Sequence, residues 1–425
     1  MKNQHGGVKK RYHRDSAKSD YELFIEMMNS DGATFQILTH KCKNGIIFVL
    51  DVHHYNSRYF TLGPTGIFNR PVTSFVVKFV ITSEEGDELV GSKYTMKEED
   101  FLREAQVQQD IFIGSIVGKR QPLCPGISGF FLFDNANAIA FLTKLLLVPN
   151  VDIHAKEMIG KLLKKITASA EDVHVEPLGI GCIEMENIVG SQTLGQFIVG
   201  CNFDSLTPQQ INIFATLIAQ LTRLYLISKK VHLDLHEGNI LIEGDNVYII
   251  DFGILWETTE VGDVQDPTSA GLFNPEDDRV AFLNKIPLLS TKLSANTSLT
   301  DNEKENIAKG IMVAFENLDK FHLKQEFPEH FATYGRRGQM TSWFDSIKSN
   351  PEILVAAFDK FNKMHAVEDL KLSRETLNEY ITQNRLIDLS LKPENYYVDV
   401  KAAERAEAQQ TAQAVRGATE RRSRE

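Results

Sequence analysis

The stretch that decides the fold lies in the middle of the chain, where residues 231–242 read Val-His-Leu-Asp-Leu-His-Glu-Gly-Asn-Ile-Leu-Ile. Within it, Asp234 and Asn239 stand in the pattern His-x-Asp-x-x-x-x-Asn. A second short apolar run follows and leads into Asp251-Phe252-Gly253. The two apolar runs are separated by Glu-Gly-Asp-Asn, a sequence that favours a tight turn and predicts a β-hairpin.

Two charged residues upstream belong to the same pattern. Lys78 lies in the apolar run Phe-Val-Val-Lys-Phe, which predicts a strand, and Glu104 lies in Phe-Leu-Arg-Glu-Ala, which predicts a helix. Each residue alone has an ordinary interpretation, a lysine at a strand edge or a solvated helix face. The order strand-Lys, helix-Glu, His-x-Asp-x-x-x-x-Asn and Asp-Phe-Gly is hard to reach by chance.

This set of motifs resembles the protein-kinase-like superfamily. The resemblance implies an α+β fold of two lobes, an antiparallel-sheet N-lobe with one key helix and a mainly helical C-lobe. It also implies that Lys78 holds the α- and β-phosphates of ATP, that Glu104 orients the Lys78 ammonium group, and that Asp234 accepts the proton of the attacking hydroxyl. Asn239 and Asp251 would then provide oxygen ligands for Mg²⁺.

The resemblance extends to the segment that joins the lobes. Residues 182–190, Cys-Ile-Glu-Met-Glu-Asn-Ile-Val-Gly, resemble a kinase hinge. Met185 would be the gatekeeper, and the backbones of Glu186 and Ile188 would face the adenine. Cys-Pro-Gly-Ile at residues 124–127 matches the turn that follows the Glu-bearing helix.

Three features depart from the common kinase pattern. Gly45 is the one glycine left in the predicted phosphate-covering loop, where kinases carry Gly-x-Gly-x-x-Gly. His236 stands two residues after Asp234, as in aminoglycoside- and choline-kinase-like phosphotransferases, and would meet the γ-phosphate. No Ala-Pro-Glu follows Asp-Phe-Gly. With these departures the chain resembles the divergent kinases that large DNA viruses encode.

The patterning divides the chain into four parts. Residues 1–20 predict a disordered basic arm, and residues 398–425 predict a charged tail without a core-facing stripe. Residues 21–186 would form the N-lobe, with insertions near 53–70 and 135–172, and residues 187–397 the C-lobe. Strands are predicted at 34–39, 46–52, 74–82, 128–133, 180–186, 240–242 and 247–250, and helices at 96–113, 135–170, 207–228 and through most of 275–384.

Composition narrows the class of protein further. The chain has 425 residues, 42% of them hydrophobic and 24% charged, which is typical of a globular protein. The net charge is −11, with +4 in residues 1–20 and +2 in residues 401–425, so residues 21–400 carry −17. Such a body repels nucleic acid and suits a basic partner. The apolar run at 211–227 is interrupted by Gln220 and Arg223, which argues against a membrane span.

The sequence therefore predicts an ATP- and Mg²⁺-dependent kinase that phosphorylates Ser or Thr hydroxyls of a protein substrate. Two alternatives stay open, a small-molecule kinase and a pseudokinase that serves as a binding scaffold. Four widely spaced cysteines without a Cys-x-x-Cys pair, and no apolar leader, indicate an intracellular, cytoplasmic setting, or a virion or host cytoplasm for a viral protein. The oligomeric state is left open.

Overall fold

The computed structural model describes the main body of the chain and parts of its C-terminal third. The described residues are 19–39, 45–52, 60–62, 68–71, 73–86, 89–90, 93–116, 121–171, 176–228, 230–232, 235–253, 255–257, 295–297, 299–304, 306–308, 310–311, 314, 347, 350–364, 389, 393–405, 408–409 and 412.

The fold is α+β, as predicted, with an antiparallel sheet in the N-terminal region and helices beyond it. This arrangement is compatible with a two-lobed kinase-like fold. The helices are α1 (Asp20–Met28), α2 (Glu98–Ile116), α3 (Asn135–Leu147), α4 (Ile153–Glu171), α5 (Leu194–Val199), α6 (Pro208–Ser228) and α7 (Pro351–Met364). Two 3-10 helices span Glu237–Asn239 and Pro393–Tyr396.

The strands fall into one main sheet and several small ones. They are β1 (Ala33–Thr39), β2 (Gly45–Val52), β3 (Phe60–Leu62), β4 (Phe68–Pro71), β5 (Ser74–Ser83), β6 (Leu89–Val90), β7 (Lys93–Tyr94), β8 (Met96–Lys97), β9 (Ile127–Phe133), β10 (Gly179–Glu186), β11 (Gln192–Thr193), β12 (Lys230–His232), β13 (Ile240–Glu243), β14 (Asn246–Ile249) and β15 (Leu255–Glu257).

The main sheet has the strand order β1-β2-β5-β10-β9, and β8 pairs in parallel with the end of β5. Its central strand, β5, is almost wholly buried, in keeping with its run of Val, Ile and Phe. Lys78 on β5 lies opposite Ile47 of β2 and Ile183 of β10. The sheet thus presents Lys78 in the middle of an apolar surface.

Helices α1 and α3 pack against this sheet through a cluster of aromatic rings, and α4 packs against α3 and β1. Phe35 stacks on Phe48 with ring centroids 4.6 Å apart, and Phe133 stacks on Phe141 at 4.3 Å. Tyr21 of α1 meets Phe133 edge-on at 5.7 Å. Such offset and edge-on pairs stabilise a core beyond the area that they bury.

Helix α1 was not predicted, although the sequence carries its start signal. The Ser19 hydroxyl accepts a hydrogen bond from the Glu22 N–H at 3.3 Å, and the Glu22 carboxylate accepts one from the Ser19 N–H at 2.7 Å. This capping box fixes the first turn. The predicted boundary of the arm at residue 20 is therefore too late, because Asp20 already belongs to α1. Residues 1–18 lie outside the described residues.

The single helix predicted over residues 135–170 is two helices, because the chain turns at residues 148–152. Within this turn, the Asn150 side-chain amide donates to the carbonyls of Met28 and Ser30 at 3.0 and 3.1 Å. Asp152 then accepts the His154 N–H at 2.8 Å and starts α4. The break depends on contacts with a distant part of the chain, which helical periodicity cannot report.

Helix α6 is the central helix of the C-terminal region, and α7 packs along it. It begins at Pro208, after a capping box between Thr207 and Gln210. By length and mean hydropathy it is the one helix in the described part of the chain that could cross a membrane, which by itself is weak evidence for a span. However, 78% of its apolar window is buried, as in the core helix of a folded domain.

Several local predictions are confirmed and others cannot be compared. The stretch at 53–70 contains the β3–β4 hairpin, and β13 and β14 form the predicted hairpin with Gly244 at φ +58°. Most of the helical stretch predicted at 275–384 lies outside the described residues, apart from α7 and a few helical residues between 295 and 347. The predicted tail departs from expectation at Val400, which is 1% exposed, whereas residues 399, 401, 402, 404 and 405 are exposed.

Candidate active site

The β13–β14 hairpin places two of the predicted site residues side by side. Asn239 ends the 3-10 helix immediately before β13, and Asp251 follows closely after β14. The Ile250 N–H donates to the Asn239 carbonyl at 3.0 Å, which holds the two ends of the hairpin together. Asn239 itself is 6% exposed. Asp234, the predicted proton acceptor, lies outside the described residues.

The backbone of Asp251 is strained. Its φ is +65°, and among the residues that the structure describes it is the one non-glycine with a positive φ. Left-handed conformations are uncommon for residues other than glycine, and they concentrate at functional sites. Asp251 remains 46% exposed at its side chain and directs a carboxylate oxygen to within 3.7 Å of the Lys78 ammonium group.

Lys78 and Glu104 form a buried ion pair. Lys78 Nζ lies 2.6 Å from Glu104 Oε1, and the two side chains are 9% and 5% exposed. Burying two charges is costly unless each is paired, so this contact constrains both side chains strongly. Because β5 carries Lys78 and α2 carries Glu104, the pair also joins the sheet to the helix.

The second oxygen of Glu104 faces Asp-Phe-Gly. Glu104 Oε2 is buried and has no hydrogen-bond partner among the described residues. A Cβ atom on Gly253 would lie 3.4 Å from it, an ordinary van der Waals contact, so Gly253 lies beside this oxygen. A buried acceptor without a donor is rare and marks a place where a bound group or water belongs.

The two histidines of the loop have different surroundings. His232 is fully buried, and its Nε2–H donates to the Ile250 carbonyl at 3.0 Å. His236 is partly exposed, and its Nδ1 accepts the Gly238 N–H at 3.0 Å. In the neutral ring the proton is therefore on Nε2. A side chain at residue 238 would collide with this ring, with a Cβ atom only 2.8 Å from Cε1.

The predicted hinge continues β10 into a loop. Met185 is partly buried, with its sulfur 3.6 Å from the Gln108 side-chain nitrogen. The Glu186 N–H donates to the Gly126 carbonyl at 3.2 Å, and Glu186 is the last residue of β10 paired with β5. The Ile188 N–H contacts no acceptor in the described part of the chain, and its side chain is 8% exposed. Contact of this segment with the adenine stays a prediction.

Gly45 has a packing role that the sequence interpretation did not foresee. It is the first residue of β2 and pairs with Val80 of β5. A Cβ atom at this position would lie 2.0 Å from the Phe79 carbonyl oxygen, so the close approach of the two backbones requires glycine. The predicted phosphate-covering loop ends in residues 43–48, of which 43 and 44 lie outside the described residues, and contact of Gly45 with a nucleotide stays a prediction.

The sequence interpretation missed two residues that anchor the end of α2. Arg223 on α6 is 1% exposed and donates to the carbonyls of Ser115 and Gln121 at 2.8 and 3.0 Å. Gln220, one turn earlier, donates to the carbonyls of Pro122 and Val247 at 3.2 and 3.0 Å. The sequence does indicate them, because both are polar residues within the otherwise apolar run of α6.

The cysteines near the site are not activated nucleophiles. Burial raises the pKa of the thiols of Cys124 and Cys182 well above the ordinary value. Cys124 donates weakly to the Gln108 carbonyl at 3.4 Å, which helps to hold the turn after α2. Reactive cysteines need a lowered pKa, so covalent chemistry at either residue is disfavoured.

Comparison with known proteins bears on the same region. Residues 194–260 match the family model of the RIO domain. RIO kinases belong to the protein-kinase-like superfamily, so the match agrees with the resemblance drawn from the motifs. It covers α5, α6, the loop with His236 and Asn239, and Asp251, whereas Lys78 and Glu104 lie outside it. No curated protein matches the chain. A RIO domain implies an atypical ATP-binding phosphotransferase, for which Mg²⁺ is generally expected.

Proposed function

We propose that this protein is an ATP- and Mg²⁺-dependent protein kinase that phosphorylates Ser or Thr hydroxyls. The observation that carries the proposal is the position of Lys78 between two carboxylates, Glu104 at 2.6 Å and Asp251 at 3.7 Å. An ammonium group held this way is suited to phosphate oxygens. The RIO-domain match over residues 194–260 supports the same chemistry.

The residues of the site fit a magnesium–nucleotide complex. Asp251 and Asn239 provide hard oxygen ligands, which Mg²⁺ prefers, and the exposed Asp251 carboxylate leaves room for water and phosphate oxygens. Mg-ATP, when bound, supplies the phosphoryl group and part of the charge neutralisation. Glu104 keeps the Lys78 side chain extended toward the cleft, and the unpartnered Glu104 Oε2 adds an acceptor beside Gly253.

The adenine would lie against the apolar surface of the sheet. Ile47 and Val76 are partly buried beside Lys78, and Met185 closes the same surface from β10. The Ile188 N–H, which has no acceptor among the described residues, and the Glu186 carbonyl would provide the polar contacts. We assign Gly45 to the phosphate-covering loop on the resemblance alone.

Phosphoryl transfer also requires a proton acceptor and a substrate. On the resemblance, Asp234 accepts the proton of the acceptor hydroxyl, and His236 presents its Nε2–H to phosphate oxygens. The charge of −17 in residues 21–400 favours a basic peptide as the substrate. In this assignment residues 21–186 act as the N-lobe and residues 187–397 as the C-lobe, in an intracellular protein.

Transfer of label from ATP tests this function and its alternatives. The purified full chain would be given radiolabelled Mg-ATP with histones and casein, or with choline and aminoglycosides. We expect labelled protein Ser and Thr, and a rate at least 100-fold lower for Asp234→Asn, the typical contribution of a general base. Asp245→Asn, in the exposed β13–β14 turn, is the matched control and keeps the wild-type rate.

The other outcomes point to the alternatives. Label that enters choline or an aminoglycoside but no protein would make the chain a small-molecule kinase, the assignment that His236 favours. Binding of Mg-ATP with no transfer to any acceptor would make it a pseudokinase scaffold. Wild-type turnover in Asp234→Asn would contradict the assignment of the proton acceptor.

A further inference from the structure

The C-terminal part of the chain crosses the N-terminal sheet region and packs there. Val398 N–H donates to the Leu132 carbonyl of β9 at 2.9 Å, and Val400 N–H donates to the Asn137 side chain of α3 at 3.0 Å. Glu404 lies 3.6 Å from Lys144, also on α3. We call Leu389 together with residues 393–404 the strap.

The strap reaches α2 through three aromatic rings. Tyr396 meets Phe130 of β9 edge-on, with ring centroids 5.0 Å apart. Phe130 in turn stacks on Phe101 of α2 at 5.2 Å and an interplanar angle of 28°. Leu389 is 2% exposed and belongs to the same apolar cluster, so the strap completes the packing beneath α2.

Phe101 lies three residues, just under one helical turn, before Glu104, and its ring rests on the backbone of Gly181. A Cβ atom at Gly181 would lie only 2.1 Å from the Phe101 ring, so there is no room for a side chain between this ring and the Gly181 backbone. Ile183, two residues along β10, pairs with Lys78. The strap therefore completes a cluster that holds α2, which carries Glu104, against β10. Strand β10 lies directly beside Lys78.

The strap also contacts the first turn of α2. The Tyr397 hydroxyl donates to the Glu98 carboxylate. Partial burial and the nearby carboxylates of Glu98, Asp134 and Glu394 raise the pKa of this phenol, so it stays a neutral donor. Two consecutive tyrosines thus hold α2, one by its ring and one by its hydroxyl.

We propose that the strap is an intramolecular clamp on α2 and that Tyr396 is a positioning residue for the Lys78–Glu104 pair. The link to nucleotide binding rests on the proposed function, whereas the link between the strap and α2 does not. Removing the Tyr396 ring takes away the edge-on partner of Phe130 and loosens the stack on Phe101. Glu104 then meets Lys78 for a smaller fraction of the time.

The test compares three variants of the full chain. Tyr396→Ala removes the ring, Tyr396→Phe keeps it, and Glu404→Ala removes a strap contact to α3 that does not touch α2. Amide hydrogen exchange reports on α2 directly, with α4 as the internal reference. Calorimetric titration with Mg-ADP reports on the site.

We expect Tyr396→Ala to accelerate exchange in residues 98–105 at least tenfold, to leave α4 unchanged and to weaken Mg-ADP binding at least fivefold. Tyr396→Phe and Glu404→Ala should match the wild type in both measurements. If Tyr396→Ala gives no folded protein, Tyr396→Leu takes its place, because it retains an apolar side chain without the ring.

The two measurements separate the two proposals. Unchanged exchange in α2 for Tyr396→Ala, or acceleration that is equal in α4, overturns the clamp even where the wild type binds Mg-ADP. Accelerated exchange confined to α2, in a chain whose wild type binds no nucleotide, supports the clamp and contradicts the proposed kinase function. Faster exchange in α2 with unchanged Mg-ADP affinity overturns the positioning role of Tyr396.

Discussion

The Lys78 ammonium group contacts the Glu104 carboxylate at 2.6 Å, although only 9% and 5% of the two side chains are exposed. An ion pair this deeply buried adds little net stability, because the loss of hydration offsets most of the attraction. It is nevertheless costly to break, since either partner alone would be a buried, unpaired charge. A role in ligand binding therefore explains the Lys78–Glu104 pair better than a contribution to folding stability does.

Removing one partner of this pair should destabilise the fold more than removing both. Lys78→Met leaves Glu104 without its cation and should lower the free energy of unfolding by about 3–5 kcal/mol. The double variant Lys78→Met/Glu104→Leu replaces the pair with apolar side chains and should recover most of that loss. Urea denaturation of the wild type, both single variants and the double variant gives the coupling energy. Additive losses in the double variant would contradict the buried-pair interpretation.

Gly181 should be intolerant of even one added methyl group. Gly181→Ala puts a Cβ atom about where the Phe101 ring lies, with 2.1 Å between them, so α2 must shift. We expect a loss of about 1–3 kcal/mol, the usual cost of overpacking a core.

Gly160→Ala is the control for Gly181→Ala, because no atom lies within 4 Å of the added Cβ and the site is inside helix α4. It should raise the free energy of unfolding by up to ~1 kcal/mol. Equal effects of the two substitutions in thermal or urea denaturation would show that Phe101 does not rest on Gly181.

The buried Arg223 should be necessary for the anchor at the end of α2. Arg223→Met leaves the carbonyls of Ser115 and Gln121 without their donor, and each unsatisfied buried group costs about 1–3 kcal/mol. Arg103→Met is the matched control, because Arg103 is 74% exposed and its pair with Asp100 is a surface pair worth at most ~1 kcal/mol. A loss in Arg223→Met no larger than that in the control, measured by urea denaturation, would contradict the anchoring role.

The sequence predicts the sheet well, because its signals are local. The strands around Lys78 are runs of Val, Ile and Phe, and the turn at Gly244 sits between two short apolar runs. The roles given to Lys78, Glu104, Asn239 and Asp251 rest on their specific order and stay predictions, while the match of residues 194–260 to the RIO domain agrees with the superfamily that this order indicates.

The remaining features depend on contacts between distant parts of the chain. The break between α3 and α4 follows from Asn150, whose partners Met28 and Ser30 are about 120 residues away. The part of the strap from residue 398 onward was predicted as a tail, because residues 398–404 carry no repeated apolar stripe and pack through single residues such as Val400, whereas residues 389 and 393–397 were assigned to the C-lobe. Gly45 fits a phosphate loop by sequence, yet only the pairing of β2 with β5 reveals the close backbone approach that requires it.

Magnesium-dependent nucleotide binding at Asp251 tests the central claim most directly. Calorimetric titration with a non-hydrolysable ATP analogue would be made with and without Mg²⁺, on the wild type, Asp251→Asn and Asp245→Asn. Asparagine tolerates the φ of +65° at residue 251, so the first variant changes the carboxylate and keeps the backbone. The account predicts Mg²⁺-dependent binding that falls at least tenfold in Asp251→Asn and is unchanged in Asp245→Asn. Absence of binding to the wild type, or equal affinity in all three proteins, would contradict it.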